Sequence, residues 1–429
     1  MTQSEPITFG DVGVSIDLLQ ILDAKKLTNP TPIQEKCISL GLEGKDIVGV
    51  AQTGTGKTLA FGLPAIQKIR KGNCKCVIML PTRELAIQVD EVLSDLGKSF
   101  GIKTALLIGG VSSYPQKIAL RKKPQIIIAT PGRLIDHIQR KNCNLSDINL
   151  VVLDEADRML DIGFMPQIRE ILKSIPTKRQ TMLFSATIPM EISDLSVQYM
   201  NNPVRIEVSP SGTSAKNVKQ EAYIVKSENK QPLLKEVIKE TSGSVLVFTR
   251  TKHKAKKIAL VLRNAGFNAV EMHSNRSLDQ RRKALEGFKS GKFKILVATD
   301  VAARGLDVDD ISLVVNFDLP NNAEDYVHRI GRTGRAGKSG KALAFIEPNE
   351  KFKLNKIERL IKKNIIIIKG SEELTGVSDR PQKRYQGRKR RPSNPQWGRK
   401  NKPSRNSTKD YGRNSKTTAK RNKKRNKRR

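Results

Sequence analysis

A glycine-rich segment follows an apolar run and precedes a helix-compatible stretch, reading Ala51-Gln-Thr-Gly-Thr-Gly-Lys57-Thr58. Glycines at such a bend allow successive backbone N–H groups to face phosphate oxygens. Lys57 can neutralise charge on the β- and γ-phosphates, and the Thr58 hydroxyl can ligate Mg²⁺. Ala51 stands where the general pattern has glycine. The segment predicts a loop that binds the phosphates of a nucleotide, formed by Thr53, Gly54, Thr55, Gly56, Lys57 and Thr58.

A second segment, Asp154-Glu-Ala-Asp157, ends the apolar run 150–153. A carboxylate at the C-terminal end of a parallel strand beside a phosphate loop can hold Mg²⁺, and a neighbouring carboxylate can deprotonate an attacking water. We therefore assign Asp154, partly through water and together with Thr58, to the metal, and Glu155 to the general base. Without the phosphate loop, the same acidic tetrapeptide would more often start a helix. Lys57, Asp154 and Glu155 are thus candidate catalytic residues.

Apolar, β-branched runs alternate with helix-compatible stretches up to residue 368, which is the pattern of α/β folds with parallel sheets. Runs in the first half are 46–51, 76–80, 104–108, 125–129, 150–153 and 180–184. The pattern pauses at 202–217, where Pro, Gly and Ser indicate a connector. Runs in the second half are 222–225, 244–248, 269–272, 295–298, 312–316 and 342–346. We expect two α/β domains, residues 1–208 and 219–368, joined by a flexible linker at 209–218 and followed by a tail at 369–429.

The charge is concentrated at the C-terminal end of the chain. The 429 residues carry a formal net charge of +37, and residues 381–429 contain 21 Lys and Arg against one acid, so +20 lies there and +17 on the rest. Such an excess favours a polyanionic partner, with nucleic acid first, an acidic membrane surface second and a solvated solubility tail third. Net charge alone does not distinguish these three.

The tail cannot form a core of its own. From residue 381 onward it has no Leu, Ile, Val, Met, Phe or Cys, so we expect it to be disordered in isolation. Tyr385, Trp397 and Tyr411 each lie beside or one residue from a Gly-Arg pair. Aromatic rings interleaved with arginines suit flexible segments that stack on RNA bases, although they could also be incidental in a cationic tail.

Targeting signals are not apparent in this sequence. Apolar runs such as 258–262 are far shorter than the ~20 residues that a membrane helix needs. The first ten residues lack the basic start and apolar run of a secretory signal, and four cysteines in a chain of this length do not form a disulfide framework. We expect a cytoplasmic protein that does not contact a membrane.

Taken with further motifs, these segments resemble the DEAD-box family of ATP-dependent RNA helicases over roughly residues 9 to 347. The matching strings outside the two segments are Pro30-Thr-Pro-Ile-Gln34, Pro81-Thr-Arg-Glu-Leu-Ala86, Gly109-Gly110, Thr130-Pro-Gly-Arg133, Ser185-Ala-Thr187, Val247-Phe-Thr-Arg250, Ala298-Thr-Asp-Val-Ala-Ala-Arg-Gly-Leu-Asp307 and His328-Arg-Ile-Gly-Arg-Thr-Gly-Arg335. The segment 158–164 and the basic tail are similar to the bacterial RhlE-type subgroup. The resemblance implies two tandem RecA-like domains with parallel sheets, and ATP and Mg²⁺ as cofactors.

The resemblance also implies an adenine pocket. Gln34 matches the family glutamine that reads the edges of adenine, and Phe9 matches the aromatic residue that stacks on its ring. An amide can pair with adenine in two places and would leave polar groups unpaired with guanine, which favours ATP over GTP. Lys26 and Leu27 stand where many members have Gly and an aromatic residue, so one wall of the pocket differs.

Residues of the second half complete the nucleotide site in the family. Asp307 matches the acid that binds the ribose, and Arg332 and Arg335 match the pair that reaches the γ-phosphate across the cleft. A guanidinium supplied by the second domain stabilises transition-state charge only when the cleft is closed. The resemblance therefore adds Arg332 and Arg335 to the catalytic residues.

Four residues match positions that couple hydrolysis to movement of the domains. Ser185 and Thr187 correspond to the motif that hydrogen-bonds Asp157, and His328 corresponds to a coupling residue of the second domain. The other histidines lack a partner cluster. Cys74 and Cys76 have no second Cys or His pair nearby, which argues against a zinc site.

The RNA-binding residues implied by the resemblance lie in both halves of the chain. Short hydroxyls, arginines and glycines can contact phosphates without reading bases, so RNA recognition should tolerate many sequences. The candidates are Thr82, Arg83, Gly109, Gly110, Thr130, Arg133, Arg250, Arg281 and Thr299, with Tyr385, Trp397 and Tyr411 in the tail.

We expect a monomer that hydrolyses ATP in response to RNA and locally unwinds or remodels RNA duplexes and RNA–protein complexes. Ribosomal precursors and the RNA decay machinery are candidate partners. An ATP-gated RNA clamp that serves as an assembly platform needs the same motifs and stays an alternative. A DNA translocase would need further motifs for stepping, which we do not find.

Overall fold

The structure is a computed structural model. It describes residues 7–52, 54–72, 74–208, 218–303, 311–334 and 339–368. The chain separates into one unit, Met1–Ser378, which holds all of these residues, and a second unit, Asp379–Arg429. Of the predicted site residues, Thr53, Asp307, Arg335, Tyr385, Trp397 and Tyr411 lie outside the described residues.

The first half of the described chain forms a parallel sheet of seven strands in the order β3-β4-β2-β5-β6-β1-β7. The strands are β1 (Ile47–Val50), β2 (Cys76–Met79), β3 (Thr104–Leu107), β4 (Ile126–Ala129), β5 (Leu150–Asp154), β6 (Gln180–Ser185) and β7 (Val204–Glu207). The helices are α1 (Ile16–Ala24), α2 (Pro32–Glu43), α3 (Lys57–Arg70), α4 (Arg83–Lys98), α5 (Ser113–Arg121), α6 (Pro131–Gln139), α7 (Ala156–Asp161), α8 (Met165–Lys173) and α9 (Met190–Tyr199).

The second half forms another seven-stranded parallel sheet, in the order β10-β11-β9-β12-β13-β8-β14. The strands are β8 (Val218–Ile224), β9 (Val245–Thr249), β10 (Ala269–Met272), β11 (Ile295–Thr299), β12 (Leu313–Asn316), β13 (Gly340–Ile346) and β14 (Ile366–Ile367). The helices are α10 (Lys230–Glu240), α11 (Lys252–Asn264), α12 (Leu278–Lys289), α13 (Asp300–Ala303), α14 (Ala323–Ile330) and α15 (Lys351–Ile361), with short 3₁₀ turns at Ser227–Asn229 and Pro348–Glu350.

The expected fold class, two tandem RecA-like domains with parallel sheets, is confirmed. Central strands such as β2 and β9 are buried along their whole length, because helices cover both faces of a parallel sheet. Such strands read as continuous apolar runs, which is why each predicted run overlaps a strand. Val218, assigned to the linker by the sequence pattern, is instead the buried first residue of β8.

Strand order brings the chemical segments of the first sheet together. β6 lies between β5 and β1, with Asp154 opposite Phe184 and Val50 opposite Ser185 in the register. Because parallel strands end at one edge of the sheet, the phosphate loop after β1 and the carboxylates after β5 meet there.

The described residues also bear on membrane crossing and on disulfide bonds. Among them, no helix combines the length and apolar character that crossing a membrane requires. Cys37, Cys74, Cys76 and Cys143 are all free thiols.

Candidate nucleotide site and nucleic-acid interface

The phosphate loop turns through left-handed backbone conformations. Gly54 and Gly56 have φ angles of +87° and +88°, which side-chain-bearing residues adopt only with strain. Lys57 follows as the first residue of α3, and Thr58 is half-buried beside it. The Nζ atom of Lys57 donates to the carbonyl oxygen of Ala51 at 3.1 Å and lies 3.7 Å from Oδ1 of Asp154. The loop thus presents a buried cation at a helix N-terminus, which suits a polyphosphate.

Asp154 is a buried carboxylate at the end of β5. Burial raises its pKa to about 6, with the nearby charge of Lys57 acting in the opposite direction. A buried carboxylate with a raised pKa is stabilised as an anion by an added cation. One carboxylate together with a hydroxyl of the phosphate loop also suits Mg²⁺, which keeps several waters and takes further oxygens from phosphates. Asp154 and Thr58 therefore fit the predicted metal.

Glu155 has an unusual backbone conformation for a residue with a side chain. Its φ and ψ are 54° and 51°, in the left-handed region that is sparsely populated except by glycine. Its carboxylate is buried and accepts a 2.8 Å hydrogen bond from Nη1 of Arg158. Strained residues of this kind cluster at functional sites, which agrees with the role assigned to Glu155.

Asp157 links the acidic segment to the segment after β6. Its Oδ2 atom accepts hydrogen bonds from the backbone N–H groups of Ala186 and Thr187 at 3.2 and 2.9 Å. Its own N–H donates to Oγ of Ser185 at 3.1 Å. The structure therefore brings together the three first-half residues predicted to couple hydrolysis to movement.

His328, on α14 of the second half, approaches the same carboxylates. Its pKa is lowered to about 3, first by burial and then by the charge of Arg158, while Asp157 and Glu155 act in the opposite direction. No described residue pairs with its Nδ1 atom. Arg332 is 3% exposed and lines a small pocket with His328 and Arg158. Two predicted residues of the second half thus share one pocket with Arg158 of the first half, beside the acidic segment.

Gln34 lies against the phosphate loop. Its Nε2 donates to the carbonyl oxygen of Gly56 at 2.9 Å, and its Oε1 accepts from the backbone N–H of Thr31 at 2.8 Å. Each amide atom keeps one further hydrogen-bonding position, which is what reading adenine requires. Phe9 is 2% exposed and packs in the apolar core of the first half. Lys26, on the predicted adenine wall, has a φ of 59°.

The Thr31-to-Gln34 contact is a helix capping box, which the sequence analysis missed. Its signal, Thr followed three residues later by Gln at the start of a helix, was readable from the sequence. Arg329 was also missed, although it stands inside a matched motif. Its buried guanidinium donates to both carboxylate oxygens of Asp300 at 2.6 and 2.7 Å and to Oδ1 of Asn316 at 2.9 Å. Arg329 therefore holds α14 to the ends of the second sheet.

A cleft of about 450 Å³ collects most of the described RNA candidates. Arg133 donates to the carbonyl oxygen of Val111 at 3.0 Å, which ties α6 to the segment following the glycine pair. Gly110 has a φ of +73°, and a Cβ there would collide with the guanidinium of Arg83. Predicted residues that line the cleft are Thr82, Arg83, Gly109, Thr130, Arg133 and Arg281.

An ion pair crosses this cleft between the two halves. Nη2 of Arg281 lies 2.8 Å from Oε1 of Glu84, a carboxylate that the sequence analysis did not single out. Three described candidates, Gly110, Arg250 and Thr299, are not among the residues that line the cleft. Arg250 donates to Oε1 of Glu350 at 2.8 Å and to the carbonyl oxygen of Leu319 at 3.3 Å. Thr299 is the buried last residue of β11.

Two RecA-like domains with a glycine-rich loop of phosphate-loop geometry, buried carboxylates beside it and a shared arginine-lined cleft fit a nucleotide hydrolase that acts on a polyanion. Residues 31–195 match the family described as DEAD/DEAH box helicase, and residues 229–337 match the helicase conserved C-terminal domain. The chain belongs to the DEAD-box family of ATP-dependent RNA helicases. The RhlE-type subgroup stays a prediction.

Curated relatives match along most of the chain. It is 41% identical over 349 residues to the ATP-dependent rRNA helicase RRP3 of Yarrowia lipolytica, covering 80% of this chain and 73% of that protein. It is 43% identical over 362 residues to the DEAD-box ATP-dependent RNA helicase CshA of Bacillus subtilis, covering 84% and 73%.

Solved structures of helicases also match. Dbp5 of S. cerevisiae bound to RNA and ADP BeF3 gives a TM-score of 0.75 at 31% identity, covering 84% of this chain and 95% of that one. Mss116p bound to ssRNA and AMP-PNP gives a TM-score of 0.77 at 27% identity, covering 87% and 82%. A DEAD box protein from Methanococcus jannaschii, 40% identical, gives 0.51 while covering 84% and 99%.

Proposed function

We propose that ATP and single-stranded RNA bind together across the two RecA-like domains, and that closing of the domains bends one RNA strand and expels its partner. ATP hydrolysis then reopens the cleft. The observation that carries this proposal is the pocket in which His328 and Arg332 of the second half meet Arg158 of the first, beside the candidate catalytic carboxylates. Such a pocket makes hydrolysis depend on the relative position of the domains.

In this proposal, Lys57 and the backbone N–H groups of the loop bind the β- and γ-phosphates. Glu155 accepts a proton from the attacking water, while Arg158 bonds to Oε2 of the same carboxylate. Asp154 and Thr58 hold Mg²⁺, which supplies neutralisation of phosphate charge when bound. Arg332, with Arg335, stabilises the charge that develops on the transferred phosphoryl group.

The proposed RNA contacts are sequence-tolerant. Arg83, Arg133 and Arg281 contact phosphates in the cleft, and the glycine pair lets the RNA backbone approach closely. Arg281 exchanges Glu84 for a phosphate when RNA enters, because both are anions competing for one guanidinium. Ribosomal RNA precursors in the cytoplasm are the proposed targets, supported by the names of relatives such as RRP3.

The test is Glu155→Gln in the full chain, assayed with ATP and RNA. We expect RNA-stimulated ATP hydrolysis to fall by about 100-fold or more, since general-base catalysis contributes about 10² to 10⁴. RNA binding in the presence of a non-hydrolysable ATP analogue should persist. Glu191→Gln, an exposed carboxylate on α9, is the matched control and should hydrolyse ATP normally. Near wild-type hydrolysis by Glu155→Gln would refute the assignment.

A strand-displacement assay separates unwinding from clamping. A helicase releases the shorter strand of an RNA duplex in an ATP-dependent manner at protein concentrations that saturate the duplex. A clamp retains RNA in the presence of ATP without releasing the strand. ATP-dependent retention with no strand release would overturn the proposed unwinding step and favour the assembly platform.

A further inference from the structure

A second groove, of about 710 Å³, lies in the second half of the chain, away from the nucleotide site. It is lined by α11, the edge strand β10, α12 and the segment 290–293. β10 ends the order of the second sheet, so no further strand covers this side among the described residues. The groove is therefore open along the sheet edge.

The groove has more cations than its acids can neutralise. Arg263 and Arg276 both bond to the buried carboxylate of Glu271, the first at 2.6 Å. Burial acts to raise the pKa of Glu271, but the hydrogen bonds from these two arginines hold it below its ordinary value. The other acid in the lining, Glu286, pairs with Arg282 at 3.2 Å. Both acids of the groove are thus already matched with arginines.

The lining of the groove also contains two lysines, Lys283 and Lys292. Both are exposed and line the groove, and no described residue forms an ion pair or hydrogen bond with either. Nζ of Lys292 lies 5.9 Å from the centroid of the half-buried Phe293 ring, and this ring is 2.6 Å from the position that a Cβ on Gly287 would occupy. Cations beside a partly exposed aromatic ring are the elements of a sequence-tolerant site for single-stranded nucleic acid.

The groove adjoins the cleft that collects the RNA candidates. Ser274 lines the cleft, whereas Arg276, two residues later, lines the groove. On α12, Arg281 points into the cleft, while Gln280 and Lys283 line the groove. Because residues three apart share a face of a helix, α12 separates two phosphate-binding surfaces that meet at its N-terminal end.

We propose that this groove binds the phosphate backbone of the RNA strand beyond the nucleotides held in the cleft, through Lys283, Lys292 and the outer edges of Arg263 and Arg276. The proposal rests on RNA binding in the cleft, as proposed above. The groove would lengthen the RNA footprint of the second domain without reading sequence.

The experiment measures the affinity of the full chain for single-stranded RNAs that increase one nucleotide at a time, with a non-hydrolysable ATP analogue and at several salt concentrations. The double variant Lys283→Gln, Lys292→Gln should match wild type on short RNAs and fall behind once the RNA outgrows the cleft. On long RNAs, losing two contacts should lower the salt slope by about 1.4, or affinity by about 25-fold at about 0.1 M salt.

Two controls make the outcome specific. Lys239→Gln removes an exposed lysine on α10, outside the groove lining, and should leave every affinity unchanged. Arg83→Ala should weaken binding at all lengths, and if it does not, binding in the cleft fails independently of the groove. Equal affinities of the double variant and wild type at every length, or an equal loss on the shortest RNAs, would overturn the groove proposal. Weaker binding of the double variant to a polyglutamate peptide, with RNA binding unchanged, would overturn it in favour of an acidic protein partner.

Discussion

The side-chain hydroxyl of Thr187 donates a 3.0 Å hydrogen bond to Oδ2 of Asp157, a residue 30 positions earlier in the chain. The two residues meet because Asp157 follows β5, Thr187 follows β6, and these strands are neighbours in the first sheet. The contact ties the acidic segment to the segment after β6. A single carboxylate therefore connects these two segments.

Thr187→Val replaces this hydroxyl by a methyl group and keeps the backbone N–H donors to Asp157. We expect strand displacement to fall more than RNA-stimulated ATP hydrolysis, because the lost bond joins two segments and does not touch the phosphate loop. A hydrogen bond to a charged group contributes about 1.5 to 3 kcal/mol. Both activities are measured on the same preparation.

Thr177→Val, at an exposed position of the same half, is the control and should retain both activities. If Thr187→Val lowered the two activities by the same factor, the contact would not be a coupling element.

Gln34→Ala should weaken ATP binding. It leaves the carbonyl oxygen of Gly56 and the N–H of Thr31 without their side-chain partners, which loosens the phosphate loop. With about 0.5 to 1.5 kcal/mol for each hydrogen bond, we expect roughly a tenfold loss of ATP affinity. The variant should also lose its preference for ATP over GTP. Titrations with ATP and with GTP measure both the affinity and the preference.

Gln67→Ala provides a matched control for this prediction. Gln67 also makes two hydrogen bonds to backbone, from the N–H of Ser15 and to the carbonyl oxygen of Gly13, both at 3.0 Å. Its loss should lower the melting temperature without changing nucleotide affinity. Similar losses of ATP affinity in both variants would mean that the effect of Gln34 is one of general stability.

Gly110→Ala should weaken RNA binding while leaving ATP binding intact. The added Cβ would displace the guanidinium of Arg83 from its place beside the cleft. Gly101→Ala is matched in backbone strain, since Gly101 has a φ of +67° and no neighbouring atom within 4 Å of a Cβ. Each variant carries about 1 to 2 kcal/mol of left-handed strain, so only the displacement of Arg83 distinguishes them. Equal RNA affinities of the two variants would contradict the role of Arg83.

His328→Gln should make the protein less sensitive to acid. The pKa of His328 is lowered to about 3 by burial and by Arg158, whereas the unfolded chain has the ordinary value of 6.5. Between these values the unfolded state binds more protons, so the free energy of unfolding decreases as pH falls from 6.5 towards 3. By pH 5 this loss reaches at most about 2 kcal/mol, and the variant should lack it.

Urea unfolding of the nucleotide-free protein at about pH 7.5 and about pH 5 measures the difference. An equal loss of stability in wild type and His328→Gln would show that His328 does not titrate differently in the folded chain.

The sequence by itself determined the two series of buried parallel strands and the segments that follow them. A strand covered by helices on both faces must be apolar throughout, so runs such as 76–80 and 244–248 are legible without a structure. The glycines before Lys57 and the carboxylates after β5 are equally local signals, because a tight bend and a strand end impose their own residue types. The limits of segments were less legible: the sequence pattern places Val218 in the linker, whereas it is the first residue of β8.

Only the tertiary structure decided which of these side chains meet. Gln34 donates a hydrogen bond to Gly56, and Arg158 donates one to Glu155. Arg281 forms an ion pair with Glu84 from the other half of the chain. The Arg281–Glu84 pair depends on the order of the strands and on how the two sheets face each other. Neither property produces a periodic pattern in the sequence. Local backbone preferences are encoded residue by residue, whereas contacts between distant segments exist only after the chain has closed on itself.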